Sequence, residues 1–150
     1  MILWSVLATL GVALDQITKY LVIKNISPTD FIEVLPGILE FVYVENTGAA
    51  FNILSGKLGL LSIISVAFAI GVVIFMIMKK PQSKLFRIAA LLLFAGAVGN
   101  VIDRIFRGFV VDFIRVEFID FPVFNVADIF ITIGAVLYII YILFFDNKKE

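Results

Sequence analysis

Asp112 and Asp128 are the residues of this 150-residue chain best suited to chemistry. Asp112 sits in Val110-Val111-Asp112-Phe113, among large apolar side chains that raise a carboxyl pKa by desolvation unless it is paired. Asp128 closes the segment Phe124-Asn125-Val126-Ala127-Asp128, at the head of an apolar run. Two carboxylates that share a site hold one proton between them; the ionised member can activate water while the protonated member polarises a carbonyl. Each acid also has a plain reading, Asp128 as a helix N-terminal carboxylate favoured by the dipole and Asp112 as a solvated strand acid. Taken singly, those readings are at least as good as catalysis. The pair carries more weight because both acids fall on one outer surface once the spans are drawn, and because other chemistries are missing. The chain has no histidine and no cysteine, which excludes Ser-His-Asp and Cys-His catalysis, thiolate metal sites, disulfides and most zinc sites. Acid–base work is left to carboxylates, lysine or tyrosine.

The remaining polar residues in apolar surroundings read mostly as scaffolding. Asp15 and Lys19 are spaced i, i+4 with the acid first, which stacks them on one helical face as an ion pair orienting the first span. Lys19 as a peptidase base would need a serine nucleophile, and no serine sits in a comparable polar cluster. Asn46-Thr47-Gly48-Ala49-Ala50-Phe51 is a run of small residues that lets a backbone or a ligand approach closely, or simply a turn leading into a helix. Gly96 and Gly99, with Ala95 and Ala97, make a small-residue surface for close helix packing. Asn100, Asp103 and Arg104 follow within about one turn. Asp103 reads as mainly structural, and Arg104 as divided between pairing with Asp103 and holding a substrate carbonyl.

The elements that must position these residues lie in a bilayer. Hydrophobic residues make up 62% of the chain, beyond what a soluble domain can hide. Leu58 to Met78 carries no charge, and its 21 residues at about 1.5 Å each span the roughly 30 Å hydrocarbon core. Met1 to Ile23, Ile88 to Ile102 extended toward Arg87 and Arg104, and Ile129 to Phe145 complete four spans. The first lacks the basic start and small-residue cleavage site of a removable signal and is expected to be retained. Lys79, Lys80, Lys84 and Arg87 flank the loop between the second and third spans, and Lys148 and Lys149 follow the fourth. Both termini are therefore expected in the cytoplasm. Residues 24–57 and 104–127 then lie outside. Phe31 to Leu35 and Ile38 to Asn46, flanking Pro36-Gly37, predict a β-hairpin there. Residues 109–124 also look extended, with Val110, Asp112, Ile114 and Val116 on one face. The fold class expected is an all-α membrane protein of four transmembrane helices with a small extracytoplasmic β-hairpin or cradle, in one domain over residues 1–150. Twelve basic residues balance twelve acidic ones without a basic cluster, so nucleic acid is not an expected partner.

Five segments in this order resemble the lipoprotein signal peptidases, or signal peptidase II: Asp15-Gln16-Ile17-Thr18-Lys19, Asn46 to Phe51, Gly99-Asn100-Val101-Ile102-Asp103-Arg104, Arg107-Gly108-Phe109-Val110-Val111-Asp112-Phe113, and Phe124 to Asp128. The resemblance implies a bacterial inner- or plasma-membrane aspartic endopeptidase that cuts prolipoproteins just before a diacylglyceryl-modified cysteine, with membrane lipid around it. It implies that Asp112 and Asp128 are catalytic, and that Asn46, Gly48, Asn100, Arg104 and Asn125 line or support the site. Asp15 and Lys19 match polar residues of the family's first helix, and residues 30–45 match its substrate-cradling hairpin. No metal or organic cofactor is expected, and the enzyme is expected to act as a monomer. The alternative function is a proton- or ion-coupled transporter using intramembrane aspartates, which the absence of anything more polar than serine in the second span disfavours. A non-catalytic protein that binds lipid or signal peptide is a third reading, which only a cleavage assay separates from an enzyme.

Overall fold

A computed structural model describes residues 2–48 and 56–145. Met1, the Ala49-Ala50-Phe51 end of the small-residue segment, and Lys148 and Lys149 lie outside the described residues. Four long helices carry the chain: α1 (Ile2–Asn25), α2 (Leu58–Lys79), α3 (Lys84–Phe106) and α4 (Val126–Phe144). All four are long and apolar enough to cross a membrane. Strands β1 (Phe31–Leu35) and β2 (Leu39–Asn46) follow α1, and β3 (Val110–Val116) lies between α3 and α4. The chain order puts all three strands at one end of the bundle, together with the end of α1, the end of α3 and the start of α4. The α2–α3 turn lies at the opposite end, where Trp4 of α1 donates its indole N–H to the carbonyl of Arg87.

The helix limits follow local signals. Lys80 ends α2 in the left-handed conformation, with φ of 44°, and its N–H closes on the Met76 carbonyl. The Ser83 side chain caps α3 by accepting from the Phe86 N–H at 3.2 Å. Asn125 caps α4 in a reciprocal box with Asp128. Apolar side chains cover the outer faces of the helices, as on α2, where Ile63 and Met78 are largely exposed. In water that surface would be untenable; in lipid it is the matching solvent.

α3 is the most buried of the four and packs against each of the others, through small residues. A Cβ placed on Gly96 would lie 2.4 Å from the Ala127 carbonyl oxygen of α4, and one on Gly99 would lie 2.5 Å from the Asp15 carboxylate of α1. Close helix approach is what these glycines permit.

The predicted hairpin forms, with Gly37 taking a φ of 69° at its turn, but β2 begins at Leu39 and not at Ile38, which belongs to the turn. The structure also adds a strand to it. β3 pairs antiparallel with β2, giving a three-stranded sheet in the order β1-β2-β3. The register shifts between Phe41 and Val44, so that Val44 faces Asp112 and Asn46 faces Val110. The first half of β3 is buried on both sides. Val111 and Phe113 join Val22 of α1 and Ile26, just beyond its end, in an apolar cluster, while Val110 and Asp112 line a cavity. Burying both faces of β3 ties the sheet to the bundle and aims Asp112 inward.

Gly96→Ala is expected to lower stability by roughly 1–3 kcal/mol, because the methyl meets the fixed backbone of α4. Gly71→Ala, where a Cβ meets nothing within 4 Å, should be neutral or stabilising by up to about 1 kcal/mol. Thermal unfolding of the two variants in detergent checks the contrast; equal behaviour would mean that α3 and α4 are not packed at Gly96.

Candidate active site

The site is assembled from the ends of β2, β3, α3 and α4. Asp112 projects from β3 and is 2% exposed. Its two oxygens each accept an amide donor, from Asn46 Nδ2 at 2.8 Å and from Asn125 Nδ2 at 2.6 Å. Asp128, in the first turn of α4, accepts from Asn100 Nδ2 at 2.8 Å and from the Asn125 N–H at 3.2 Å. Asn125 Nδ2 also donates to Asn100 Oδ1 at 3.1 Å. The two aspartates are thus linked through Asn125 and Asn100, and both line a cavity of about 740 Å³.

Each asparagine has its amide orientation set by a second bond. Asn46 Oδ1 accepts from the Gly48 N–H at 2.8 Å, Asn125 Oδ1 from the Asp128 N–H at 3.0 Å, and Asn100 Oδ1 from Lys19 Nζ at 2.9 Å. With the oxygens taken, all three NH₂ groups turn toward carboxylates. Gly48 acts here through its backbone. Arg104 lines the same cavity within electrostatic reach of Asp128 and Asp112, and its buried Nε has no hydrogen-bond partner among the described residues.

Burial, then the neighbouring Asp128 charge, push the Asp112 carboxyl up to about 6, while the Asn46 and Asn125 donors pull the other way. The carboxyl therefore keeps a proton well above the ordinary carboxylate range.

Behind this layer lies a fully buried ionic cluster. Lys19 Nζ is 3.0 Å from Asp15 Oδ2 and 2.9 Å from Asp103 Oδ2. With its bond to Asn100, the ammonium has all three of its donors engaged. Asp15 Oδ1 accepts the Ala127 N–H at 2.9 Å, tying α1 to the start of α4. Asp103 Oδ2 accepts the Val111 N–H at 3.1 Å, tying α3 to β3.

The structure corrects one expectation. Arg104 is not the hydrogen-bonded partner of Asp103; Arg107 and Lys19 are. Adjacent residues on a helix point to different faces, whereas residues four apart stack, so Arg107 shares the face of Asp103 and Arg104 is left to the cavity. That i, i+4 spacing was the signal available for Arg107. Gln16 is a second residue missed: its amide donates to Asp15, the Gly99 carbonyl and Asp103 while its oxygen accepts from Arg107. Only the contact across two helices identifies it. A fourth ion pair, Glu40 with Arg115, bridges β2 and β3 away from the cavity.

A family model described as Signal peptidase (SPase) II matches residues 7–144. The chain belongs to the signal peptidase II family. Proteins named lipoprotein signal peptidase from Staphylococcus aureus (strain Newman) and Lactobacillus gasseri are 44% and 39% identical to it, each over 147 residues. Those alignments cover 96% and 98% of this chain and 90% and 96% of the relatives. Two solved structures described as bacterial membrane enzymes, at 2.3 and 1.9 Å resolution, match with TM-scores of 0.92 and 0.87 at 41% and 40% identity. They cover 100% and 97% of this chain, and 93% and 95% of theirs. As a signal peptidase II with four membrane-crossing helices, the chain is a multi-pass bacterial membrane peptidase.

Removing the ammonium at the centre of this signal peptidase II should be worse than removing one of its acids. Lys19→Met leaves Asp15 and Asp103 facing each other without the shared cation, a loss of about 3–5 kcal/mol. Asp15→Asn is milder because Lys19 keeps Asp103, and Asp15→Asn combined with Lys19→Met should recover part of the Lys19→Met loss. Folded yield and melting temperature in detergent report the order; a stable Lys19→Met protein would contradict it.

Proposed function

We propose that this chain is an intramembrane aspartic endopeptidase that removes signal peptides from prolipoproteins, cutting before a diacylglyceryl-modified cysteine. The family and its lipoprotein signal peptidase relatives support the removal of signal peptides from prolipoproteins. One observation carries the aspartic mechanism: Asp112 and Asp128 open on a single cavity and are joined through the side chains of Asn125 and Asn100.

Charge balance supports one proton on the pair. Around the site stand the carboxylates Asp15, Asp103, Asp112 and Asp128 and the cations Lys19, Arg104 and Arg107. Four acids against three bases reach neutrality when one acid is protonated. Glu45, also at the cavity, is exposed to solvent and screened. Asp112, pushed up to about 6, is the member that holds the proton. Asp128, in the first turn of α4, accepts a backbone N–H as well as the Asn100 amide.

In the reaction Asp128 takes a proton from water as its oxygen attacks the scissile carbonyl, and Asp112 gives its proton to the carbonyl oxygen. Collapse of the tetrahedral diol returns a proton to Asp112, while the proton on Asp128 passes to the leaving amine. Each carboxyl ends as it began. Arg104, which lines the cavity within electrostatic reach of both aspartates, holds a substrate carbonyl beside the pair. The asparagines Asn46, Asn100 and Asn125 orient the carboxylates, with Gly48 setting the Asn46 amide. Asp15, Lys19 and Asp103 hold the helices. The enzyme acts as one domain and as a monomer, surrounded by membrane lipid.

Asp112→Asn and Asp128→Asn should each abolish turnover of a lipid-modified precursor, a loss of at least about a hundredfold, while the proteins still fold and bind it. In the wild type, kcat/KM should fall as pH rises through about 6, where Asp112 loses the shared proton, and again in acid when both members are protonated. The same shift has a stability sign. Its folded carboxyl lies above the ordinary 3.8, so the stabilisation of the protonated form is present below that value and lost as pH rises through about 6. At neutral pH, Asp112→Asn removes that burden but leaves one asparagine donor unmatched, about 1 kcal/mol, so its melting temperature should change little. Near-normal turnover by either variant would end the paired-aspartate mechanism.

The pair would face the outer side of the membrane, with both termini inside, because Lys79, Lys80, Lys84 and Arg87 gather at the opposite end of the bundle. Reporter fusions are expected to place positions near 35 and 117 outside and position 82 inside; an external position 82 would reverse the orientation.

A further inference from the structure

Beyond Asp128 the cavity runs on along α4 and its wall turns apolar. Ile129, Ile131 and Ile133 line it there, with one hydroxyl among them, that of Thr132. Asp128 and Thr132 are four residues apart, on one helical face and roughly 6 Å apart along the axis. A hydroxyl in an apolar helix ordinarily folds back on the carbonyl of the preceding turn. Thr9 does so on Ser5 at 2.9 Å, Thr18 on Leu14 at 3.1 Å and Ser62 on Leu58 at 2.8 Å. Thr132 is exposed into the cavity, and no hydrogen bond engages its hydroxyl among the described residues. A hydroxyl not engaged by its own helix is available to accept from or donate to a polar atom of a ligand in the cavity.

The chemistry of that atom follows from the proposed function, on which this inference rests. The cysteine after the scissile bond carries a glycerol thioether, and the glycerol bears two fatty acyl esters. Starting from a peptide bond at the aspartate pair, the cysteine side chain, the sulfur and the glycerol place an ester carbonyl a few bonds further along the cavity. The acyl chains beyond it need an apolar wall, which the isoleucines supply. An ester carbonyl accepts a hydrogen bond and cannot donate one, so a hydroxyl complements it and a hydrocarbon wall does not. We propose that Thr132 donates a hydrogen bond to an ester carbonyl of the diacylglyceryl group and thereby sets the depth at which the lipid seats. It is a specificity residue for ester-linked lipid, one helical turn from the catalytic pair.

Two precursors of the same peptide test this, one carrying diacyl (ester) and one dialkyl (ether) glycerol of equal chain length on the cysteine. For the purified full chain in detergent micelles, KM should be about three- to tenfold lower for the ester, the size of one neutral hydrogen bond. Thr132→Val should raise KM for the ester by that factor, with kcat little changed, and leave the ether KM close to that of the wild type. Thr132→Ser should restore the preference. A variant that raises both KM values together, or lowers kcat on both precursors, would show a merely structural role and overturn the proposal. So would a wild-type ester-to-ether KM ratio near one, a measurement that stands even if Thr132→Val does not fold. A wild type that cuts neither precursor would instead remove the proposed function, and this inference with it.

Discussion

An ammonium buried among apolar helices must find an acceptor for each of its three N–H bonds, and Lys19 finds them on Asp15, Asp103 and Asn100. Two of those acceptors are on α3 and one is on α1 itself, so satisfying the cation fixes how the two helices meet. The consequence reaches the cavity. Because Asn100 Oδ1 is held by Lys19, Asn100 Nδ2 is left for Asp128. Asp15 spends its other oxygen on the Ala127 N–H, and Asp103 accepts the Val111 N–H on the same oxygen that meets Lys19. Those residues lie next to Asp128 and Asp112 in the chain. The ionic cluster therefore positions both aspartates without touching either one directly.

Such a cluster survives only where water is excluded and the helices come close enough for direct contact. Gly96 and Gly99 provide that closeness, since a methyl at either position would overlap α4 or the Asp15 carboxylate. The capping box at the start of α4 has a double role. Asn125 closes the helix through its oxygen and reaches Asp112 through its nitrogen, so one side chain ends an element and builds the site. The sheet contributes in a different way. Val111 and Phe113 anchor β3 on α1, and strand alternation then turns Asp112 to the cavity.

The two ends of the cavity have different physics. Near the sheet it is lined by amides, carboxylates and Arg104. Farther along α4 it is lined by isoleucines and a threonine hydroxyl. The proposed substrate, a polar peptide with a lipid on the adjacent residue, fits that order.

Much of this was legible in the chain itself, for identifiable reasons. Long apolar runs, the second span uncharged throughout, located the helices, since the bilayer imposes a minimum length on any spanning segment. Pro36-Gly37 marked the hairpin turn, and the i, i+4 spacing placed Asp15 beside Lys19, because both are local regularities. The absence of histidine and cysteine left acid–base work to carboxylates, lysine or tyrosine. Long-range pairing was another matter. Nothing local says that β3 adds to β2, that the second partner of Lys19 is Asp103, or that Gln16 spans α1 and α3. Asp103 had neighbouring arginines at two spacings, and helix geometry gave it Arg107 while freeing Arg104 for the cavity. Residue type and spacing determine which groups must be satisfied. Only the packing of distant segments decides with whom, because the low-dielectric interior makes every unsatisfied partner costly and the folded chain selects the arrangement that leaves fewest.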